Sequence, residues 1–440
     1  MTYDQTIEFL YSQTPQFQQI GAAAYKPGLG TVIALSEKFG NPHRRLRCIH
    51  VGGTNGKGST AHSLASVLQA AGFKVGLFTS PHLLDFRERI RINGNMIPRE
   101  EVTGFVERCR ECDALAAKPS FFELTTVMAF DWFAREKVDV AVIEVGLGGR
   151  LDSTNIITPE LSVITNISLD HVAQLGDTLP QIASEKAGII KPGVPAVVGE
   201  ADGNVREVFE RKAAEVGAPV RFACDGGIFT SGGEPQFTKT AQGERLTAVT
   251  RTFGPVEFEL TGDCQQRNLA TITCALELLK ESFGITPDAV RKGLATVNES
   301  TGLAGRWMTL SQTPLTICDT GHNIGGWEWL APRLASHKGK LIMVIGFVND
   351  KDTSHILPLM PHDAEYIFTR ASVPRALPAE ELALRAESAG LRGRTAPDVE
   401  TALVMAREAA SSVEAHLLSP MPCAVSDGAL STYVAETIDA

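Results

Sequence analysis

Five short apolar runs punctuate the first half of the chain: "RCIHV" (47–51), "KVGLFTS" (74–80), "VDVAVIEVGL" (138–147), "LSVITNIS" (161–168) and "VPAVVGE" (194–200). They are rich in β-branched residues, apolar at nearly every position, and alternate with helical stretches. Strands of this kind suit a parallel sheet covered by helices on both faces, so the pattern predicts a doubly wound α/β domain. From about Phe222 to Leu260 the texture becomes polar with alternating apolar positions, as in "RTFGPVEFEL" (251–260). That alternation predicts a small antiparallel β excursion within the same domain. A helix is predicted from about Asn268 to Lys280. "NESTGLAGRWM" (298–308) then supplies turn residues without periodicity, after which "LTICDTG", "KLIMVIGFV" and "EYIFTR" resume strand–helix alternation. At 440 residues the chain exceeds what one compact core usually holds. Two domains are expected, residues 1–298 and a smaller α/β domain of residues 299–440.

The first strand-to-helix junction carries "VGGTNGKGST" (51–60). The usual phosphate-loop rule, Gly-x-x-x-x-Gly-Lys-[Ser/Thr], is broken twice, because Val51 stands six before Lys57 and Gly58 separates the lysine from Ser59. Placement matters more than spelling. "RCIHV" precedes the glycines, and "STAHSLASVLQAAG" follows as a helix with Leu64, Val67 and Leu68 on one face and Gly72 at its stop. A strand, a glycine turn and a helix start gather backbone N–H groups and the positive end of the helix dipole at one point, which suits phosphate oxygens. Lys57 is then expected on the β/γ phosphates, with Ser59 or Thr60 approaching a magnesium ion. The alternative is a tight turn whose glycines only relieve crowding.

Composition narrows the class of partner. A net charge of −10 argues against nucleic acid as the main partner, since phosphate contacts need a surplus of Lys and Arg. The polar N-terminal stretch reads as no signal peptide, and no run approaches the roughly 20 apolar residues of a membrane span. Eight cysteines without regular spacing fit reduced thiols in a cytoplasm. The one CxxC, Cys109 and Cys112, sits in a helical pattern without a second pair nearby, which disfavours a zinc or redox role.

"GTNGKGS" is the loop spelling of folylpolyglutamate synthases and dihydrofolate synthases, and the chain resembles that family closely. The likeness continues through "TSPHLLDFRERIRING" from Thr79, "SFFELTTVMAF" from Ser120, "IEVGLGGRLDSTN" from Ile143 and "ITNISLDH" ending at His171. It goes on through "SEKAGIIKPG" from Ser184, "GDCQQRN" from Gly262, "GRW" from Gly305 and "DTGHN" from Asp319, in the family's order, covering the chain from about residue 25 to its end. The resemblance implies a P-loop domain of the Mur ligase central type followed by a Rossmann-like C-terminal domain. It departs in two places: the family usually has Asp-Gly-Ala-His-Asn where this chain has "DTGHN", and usually His where Cys264 stands.

Several candidate residues follow from position, and the resemblance adds roles to them. Glu144 closes an apolar run, and a carboxylate at the carboxyl end of a parallel strand is placed to ligate a hard cation. Ser80 ends another strand and His171 follows a third. The family's magnesium ligands match Ser80, Glu144 and His171, which suggests two ions. Lys186 reads as a surface lysine on its own; the resemblance implies that it is carbamylated, its neutral amine having reacted with carbon dioxide. Arg306 offers a planar cation for phosphate oxygens, and Asp319 an acceptor. The resemblance places Asn268 at adenosine and His322 near the nucleotide, and gives Asn55, Gly56, Lys57, Gly58, Ser59 and Thr60 to the ATP loop. Catalytic roles fall to Lys57, Lys186 and His171. Ser120, Phe121, Phe122 and Glu123, with Leu151, Asp152 and Ser153, resemble pterin-contacting segments, although Phe121 and Phe122 read equally well as core.

The implied reaction is ATP-dependent: γ-phosphoryl transfer turns a carboxylate into an acyl phosphate, and the α-amine of L-glutamate displaces phosphate to give an amide. The acid is dihydropteroate, a reduced folate, or both. A cytoplasmic monomer that binds these small molecules, with no nucleic acid and no membrane, is the expectation. Two rivals remain. A Mur-type cell-wall amino-acid ligase shares the route but carries a further domain ahead of the loop, for which 56 residues before Lys57 are expected to be too few. A non-catalytic guanine switch should carry Asn-Lys-x-Asp, and "TNISLD" lacks the lysine.

Overall fold

A computed structural model describes residues 1–14, 28–240, 243–336, 338–349, 351, 353–411, 415–420 and 434–436. Residues 15–27 and most of 412–440, which the expected segments include, lie outside the described residues.

The apolar runs form the middle of an eight-stranded sheet. In chain order its strands are β1 (Cys48–Gly52), β2 (Val75–Phe78), β3 (Ile90–Ile92), β4 (Asn95–Met96), β5 (Val140–Glu144), β6 (Leu161–Ile164), β7 (Ala196–Val198) and β8 (Val220–Phe222). The spatial order is β4-β3-β2-β5-β1-β6-β7-β8. From β2 across to β8 all neighbours are parallel, and only the β3 and β4 edge runs antiparallel. Every residue of β1, β2, β5, β6 and β7 is buried, as expected for strands covered on both faces.

Strand alternation divides the apolar residues of β5 between two cores. Val140 and Val142 pack with Ile49 and Val51 against Leu64 and Leu68 of the helix Lys57–Ala70 and Leu269, Ile272 and Leu276 of the helix Gln265–Phe283. Ala141 and Ile143 face the other way, toward Phe105 of the helix Arg99–Glu111 and Phe130 of the helix Phe121–Arg135. Cys109 is buried in this second core, which pushes its thiol up to about 12 and leaves it a packing residue.

The polar excursion is a three-stranded antiparallel sheet of β9 (Gln236–Thr240), β10 (Gly243–Thr250) and β11 (Gly254–Phe258). Its Leu246, Val256 and Phe258 join the first core, so it is a flap of the same domain. The helix expected from Asn268 starts at Gln265 and ends against left-handed Gly284. A second sheet holds β12 (Met308–Gln312), β13 (Leu315–Asp319), β14 (Lys340–Ile345), β15 (Glu365–Phe368), β16 (Gly393–Thr395), β17 (Ala415–Pro420) and β18 (Val434–Glu436). Its β13, β17, β14, β15 and β16 are parallel neighbours, and its own core includes Trp327, Met343 and Tyr366.

Candidate active site

Register sets the site before any side chain does. Val51 pairs with Glu144, Phe78 with Ile143 and Gly52 with Ile164, so β2, β5, β1 and β6 end level with one another. Ser80, Glu144, the glycine loop and the segment leading to His171 therefore leave the sheet along one rim. In an open parallel sheet that rim is where ligands bind.

Crowding explains the glycines of the loop. Gly53 has φ +134° and Gly56 φ +82°, and a side chain on Gly56 would run into the Asn268 carboxamide oxygen. Gly56 caps the helix Lys57–Ala70 without a side-chain cap, leaving that N-terminus to other partners. The ammonium of Lys57 donates to the carbonyls of Gly53 (3.2 Å) and Thr54 (2.9 Å). Ser59 Oγ accepts from Gln265 Nε2 at 3.1 Å, and the buried hydroxyl of Thr60 has no hydrogen-bond partner among the described residues. Asn268 donates to Gln265 Oε1 at 2.8 Å, behind the loop.

Glu144 is the buried carboxylate of the rim. Ser80 N donates to its Oε2 at 3.0 Å, and a Cβ on Gly58 would come 3.8 and 3.9 Å from its two oxygens and 3.4 Å from Arg306 Nη2. A carboxylate and a guanidinium from the other domain thus meet the loop at Gly58, both at ordinary contact distance from where a side chain would stand. Burial raises the Glu144 pKa, while the charge of Lys57, the Ser80 N–H, and the charges of Arg306 and Arg89 oppose the rise. Lys186, on the helix Leu179–Ala187, is buried and donates to Gly53 O at 2.8 Å. Burial and then Lys57 push it down to about 7.

The second domain contributes from "GRW" and "DTGHN". Arg306 donates to Gly305 O and Thr320 Oγ1, while Asp319 accepts from the backbone N–H groups of Trp307 (2.9 Å) and Gly321 (2.8 Å). The Asp319 carboxylate therefore braces the turn that presents Arg306. His322 Nδ1 sits 3.0 Å from Thr320 O. Cys264, standing where the family has His, packs near Gly262, and its thiol is pushed up to about 12 by burial and then by Asp319.

His171 starts a one-turn helix in the left-handed region (φ 50°), with Nε2 3.8 Å from Asp170 Oδ2. Burial lowers its pKa to about 4, Lys351, His322 and Lys57 adding to the fall against Asp170. At neutral pH it presents a lone pair instead of a charge. Asp170 was invisible in the sequence, yet it accepts from Lys351 Nζ (2.6 Å) and Asn323 Nδ2 (3.1 Å). Burial opposes its ionisation, but His322, Lys351 and His171 hold the carboxyl far below its usual range. Asn166 was likewise missed; its Oδ1 accepts from Asn55 N at 3.0 Å. Polar residues just beyond a strand end were the available signal for both.

The substrate-side candidates fall on the start of the helix Phe121–Arg135 and on the loop that follows Glu144, and Phe122 joins the two. Ser120 and Glu123 satisfy each other as a helix cap: Ser120 N and Oγ donate to Glu123 Oε2 at 2.7 and 2.8 Å. Phe121 is a buried core ring against Tyr11 and Phe86, whereas Phe122 lies flat over Gly146, leaving no room there for a Cβ. The Asp152 carboxylate is buried and accepts from Leu147 N (2.8 Å), Thr154 N (3.0 Å) and Thr154 Oγ1 (2.5 Å). Leu151 and Ser153 flank it, half-buried. Gly149 packs on Lys186, so this loop and the lysine are one assembly.

Among the described residues no three His, Cys, Asp or Glu side chains form a metal cage. The donors present at the rim, a serine hydroxyl and a carboxylate, are hard oxygens that fit magnesium, an ion that keeps several waters and phosphate oxygens in its shell.

Two family descriptions match the chain, the Mur ligase middle domain over residues 51–276 and the Mur ligase glutamate ligase domain over residues 305–420. The chain is similar to the dihydrofolate synthase/folylpolyglutamate synthase of Bacillus subtilis, 36% identical over 372 residues that cover 80% of this chain and 84% of that one. It is similar to Mycobacterium tuberculosis folylpolyglutamate synthase complexed with ADP, with a TM-score of 0.81 and 31% identity over 95% of each chain. It is also similar to Escherichia coli FolC in complex with DHPP and ADP, with a TM-score of 0.77 and 28% identity over 96% of this chain and 95% of that chain.

Proposed function

The chain belongs to the Mur ligase family, among its dihydrofolate synthase/folylpolyglutamate synthase members, and we propose that the rim carrying Lys57, Glu144, Lys186 and Arg306 is where it works. The protein is an ATP-dependent ligase that adds L-glutamate to dihydropteroate, to the glutamyl tail of reduced folates, or to both, through an acyl phosphate. The observation that supports the site most directly is the meeting of Glu144 and Arg306 at Gly58, one residue after Lys57.

ATP supplies the phosphoryl group that activates the carboxylate, and magnesium offsets the charge of the phosphates. Lys57 leaves the carbonyls of Gly53 and Thr54 for the β/γ phosphates, and Arg306 brings a second, planar cation from the other domain. Charge spreading over a transferred phosphoryl group is best met by such fixed cations. Ser80 and Glu144 would supply oxygens for a magnesium ion, and neutral His171 would offer a nitrogen lone pair for a second. Asn55, Gly56, Gly58, Ser59 and Thr60 hold the phosphates, Asn268 supports the loop from behind, and Asp319 and His322 complete the nucleotide side. Phe122 and the 151–153 loop flank the acid substrate. Carbamylation of Lys186 would convert a buried cation into an acceptor, and its pKa of about 7 makes the neutral amine available.

We also assign the domains as 1–298 and 299–440, a division supported by the gap between the two matched regions. A monomer without nucleic acid or membrane partners, working in the cytoplasm, is our reading; no helix among the described residues is long and apolar enough to cross a membrane. The test mixes protein, ATP, magnesium and glutamate with dihydropteroate or tetrahydrofolate. Lys57→Ala and Glu144→Ala should each abolish glutamate-dependent ADP release with the fold intact. Near-normal turnover in either variant overturns the site assignment, and the ratio of rates on the two pterins tells which acid is preferred.

A further inference from the structure

Lys351 follows β14 in the second domain and reaches back to the first. Its ammonium lies 2.6 Å from Asp170 Oδ1, the two side chains only 14% and 11% exposed. The other oxygen of Asp170 takes the Asn323 carboxamide at 3.1 Å and stands 3.6 Å from His322 Nε2. Asn323 in turn exchanges two hydrogen bonds with Asn55 of the glycine loop, Asn55 Nδ2 donating at 3.0 Å and Asn323 Nδ2 at 2.9 Å.

We propose that Lys351 is a positioning residue of the ligase: its pairing with Asp170 docks the second domain so that Asn323 and His322 are held against the phosphate loop. Three features carry this. Among the described residues Arg333 also bridges the domains, to Glu244 and Asp263, but Lys351–Asp170 is the pair with both partners well shielded, and removing one partner of a buried pair leaves the other charge uncompensated. Asp170 sits on the segment leaving β6, so it is fixed relative to the loop by the hydrogen bonds from Asn55 N to Asn166 Oδ1 and from Ser168 N to Thr54 Oγ1. Finally, the Asn323 carboxamide joins Asp170 to Asn55, so a shift of Lys351 is transmitted to the loop through one side chain. Lys351 acts here through Asp170 and not on the nucleotide.

The proposal rests on the ligase reading, and the experiment separates the two. In the full chain, Lys351→Met should lower kcat for glutamate-dependent ADP release roughly 30-fold and weaken binding of a non-hydrolysable ATP analogue by a clearly smaller factor, because the residues from Asn55 to Thr60 stay on the first domain while His322 shifts with the second. Lys351→Arg should recover most of the loss. Asp170→Asn should resemble Lys351→Met, and the double variant should be no worse than either alone, as for two halves of one contact. Small-angle scattering with analogue and folate bound should show a more open Lys351→Met protein. Wild-type kcat in Lys351→Met, or a double variant that loses the product of the two single losses, overturns the proposal. So does analogue affinity that falls in step with kcat, since Lys351 would then be touching phosphate. Lys351→Gln gives the same reading should the Met variant fail to fold. Absence of glutamate-dependent turnover in the wild type would instead sink the ligase reading.

Discussion

Lys57 and Lys186 place their ammonium nitrogens on a single acceptor, the carbonyl oxygen of Gly53, at 3.2 and 2.8 Å. Burial, and then the charge of Lys57, bring Lys186 down to about 7. An amine that is largely neutral above that pH is open to carbon dioxide. With 13C-bicarbonate at pH 8, 13C NMR should show a carbamate carbonyl that Lys186→Met lacks, and the signal should fade as pH drops below 7. A wild-type spectrum without it removes carbamylation from the account.

Gly56 tests whether the glycine loop is built for close approach. Its φ of +82° strains any other residue, and an added methyl meets Asn268. Gly56→Ala should cost about 1–3 kcal/mol at the loop. Nucleotide affinity should fall about ten-fold or more by titration calorimetry, with the overall melting temperature shifting only a few degrees.

Asp152 holds three N–H or O–H donors of its own loop, so its effect on substrate is expected to pass through loop shape. Asp152→Asn turns a carboxamide donor toward those donors, at about 1–3 kcal/mol. The KM for dihydropteroate or folate should rise about ten-fold while nucleotide Kd stays put. Equal losses in both would mean that the loop also serves the phosphate side.

Acid should weaken the fold through two histidines. Burial lowers His50 and His62 to about 3, with Lys191 adding for His50 and Arg91 for His62. Their unfolded forms protonate near pH 6.5, so the unfolded chain binds more protons as pH falls from 6.5 toward 3. Stability is full above 6.5 and declines through that window, each group contributing about 2 kcal/mol of loss by pH 5. Thermal melts at pH 7.5 and 5 should differ, and by less in a folded His62→Gln variant.

That Lys57, Glu144 and Ser80 each stand at or just beyond a strand end was legible from the short apolar runs; that those ends lie level is set by the sheet register. Phe121 and Phe122, adjacent in sequence, were read alike, yet one ring is core and the other covers Gly146; the face each takes at the start of its helix depends on what packs there. Asp170 offered only its place beyond a strand end, and nothing in the sequence pairs it with Lys351, 181 positions away in another loop.

By itself the chain's pattern determined the alternation of strands and helices, the glycine turn and the two-domain arrangement, because backbone periodicity is fixed within a few residues. The tertiary structure decided which of those ends meet. Asn55 finds Asn323 across 268 residues only because sheet order and domain docking bring the loops together, and no local spacing encodes either.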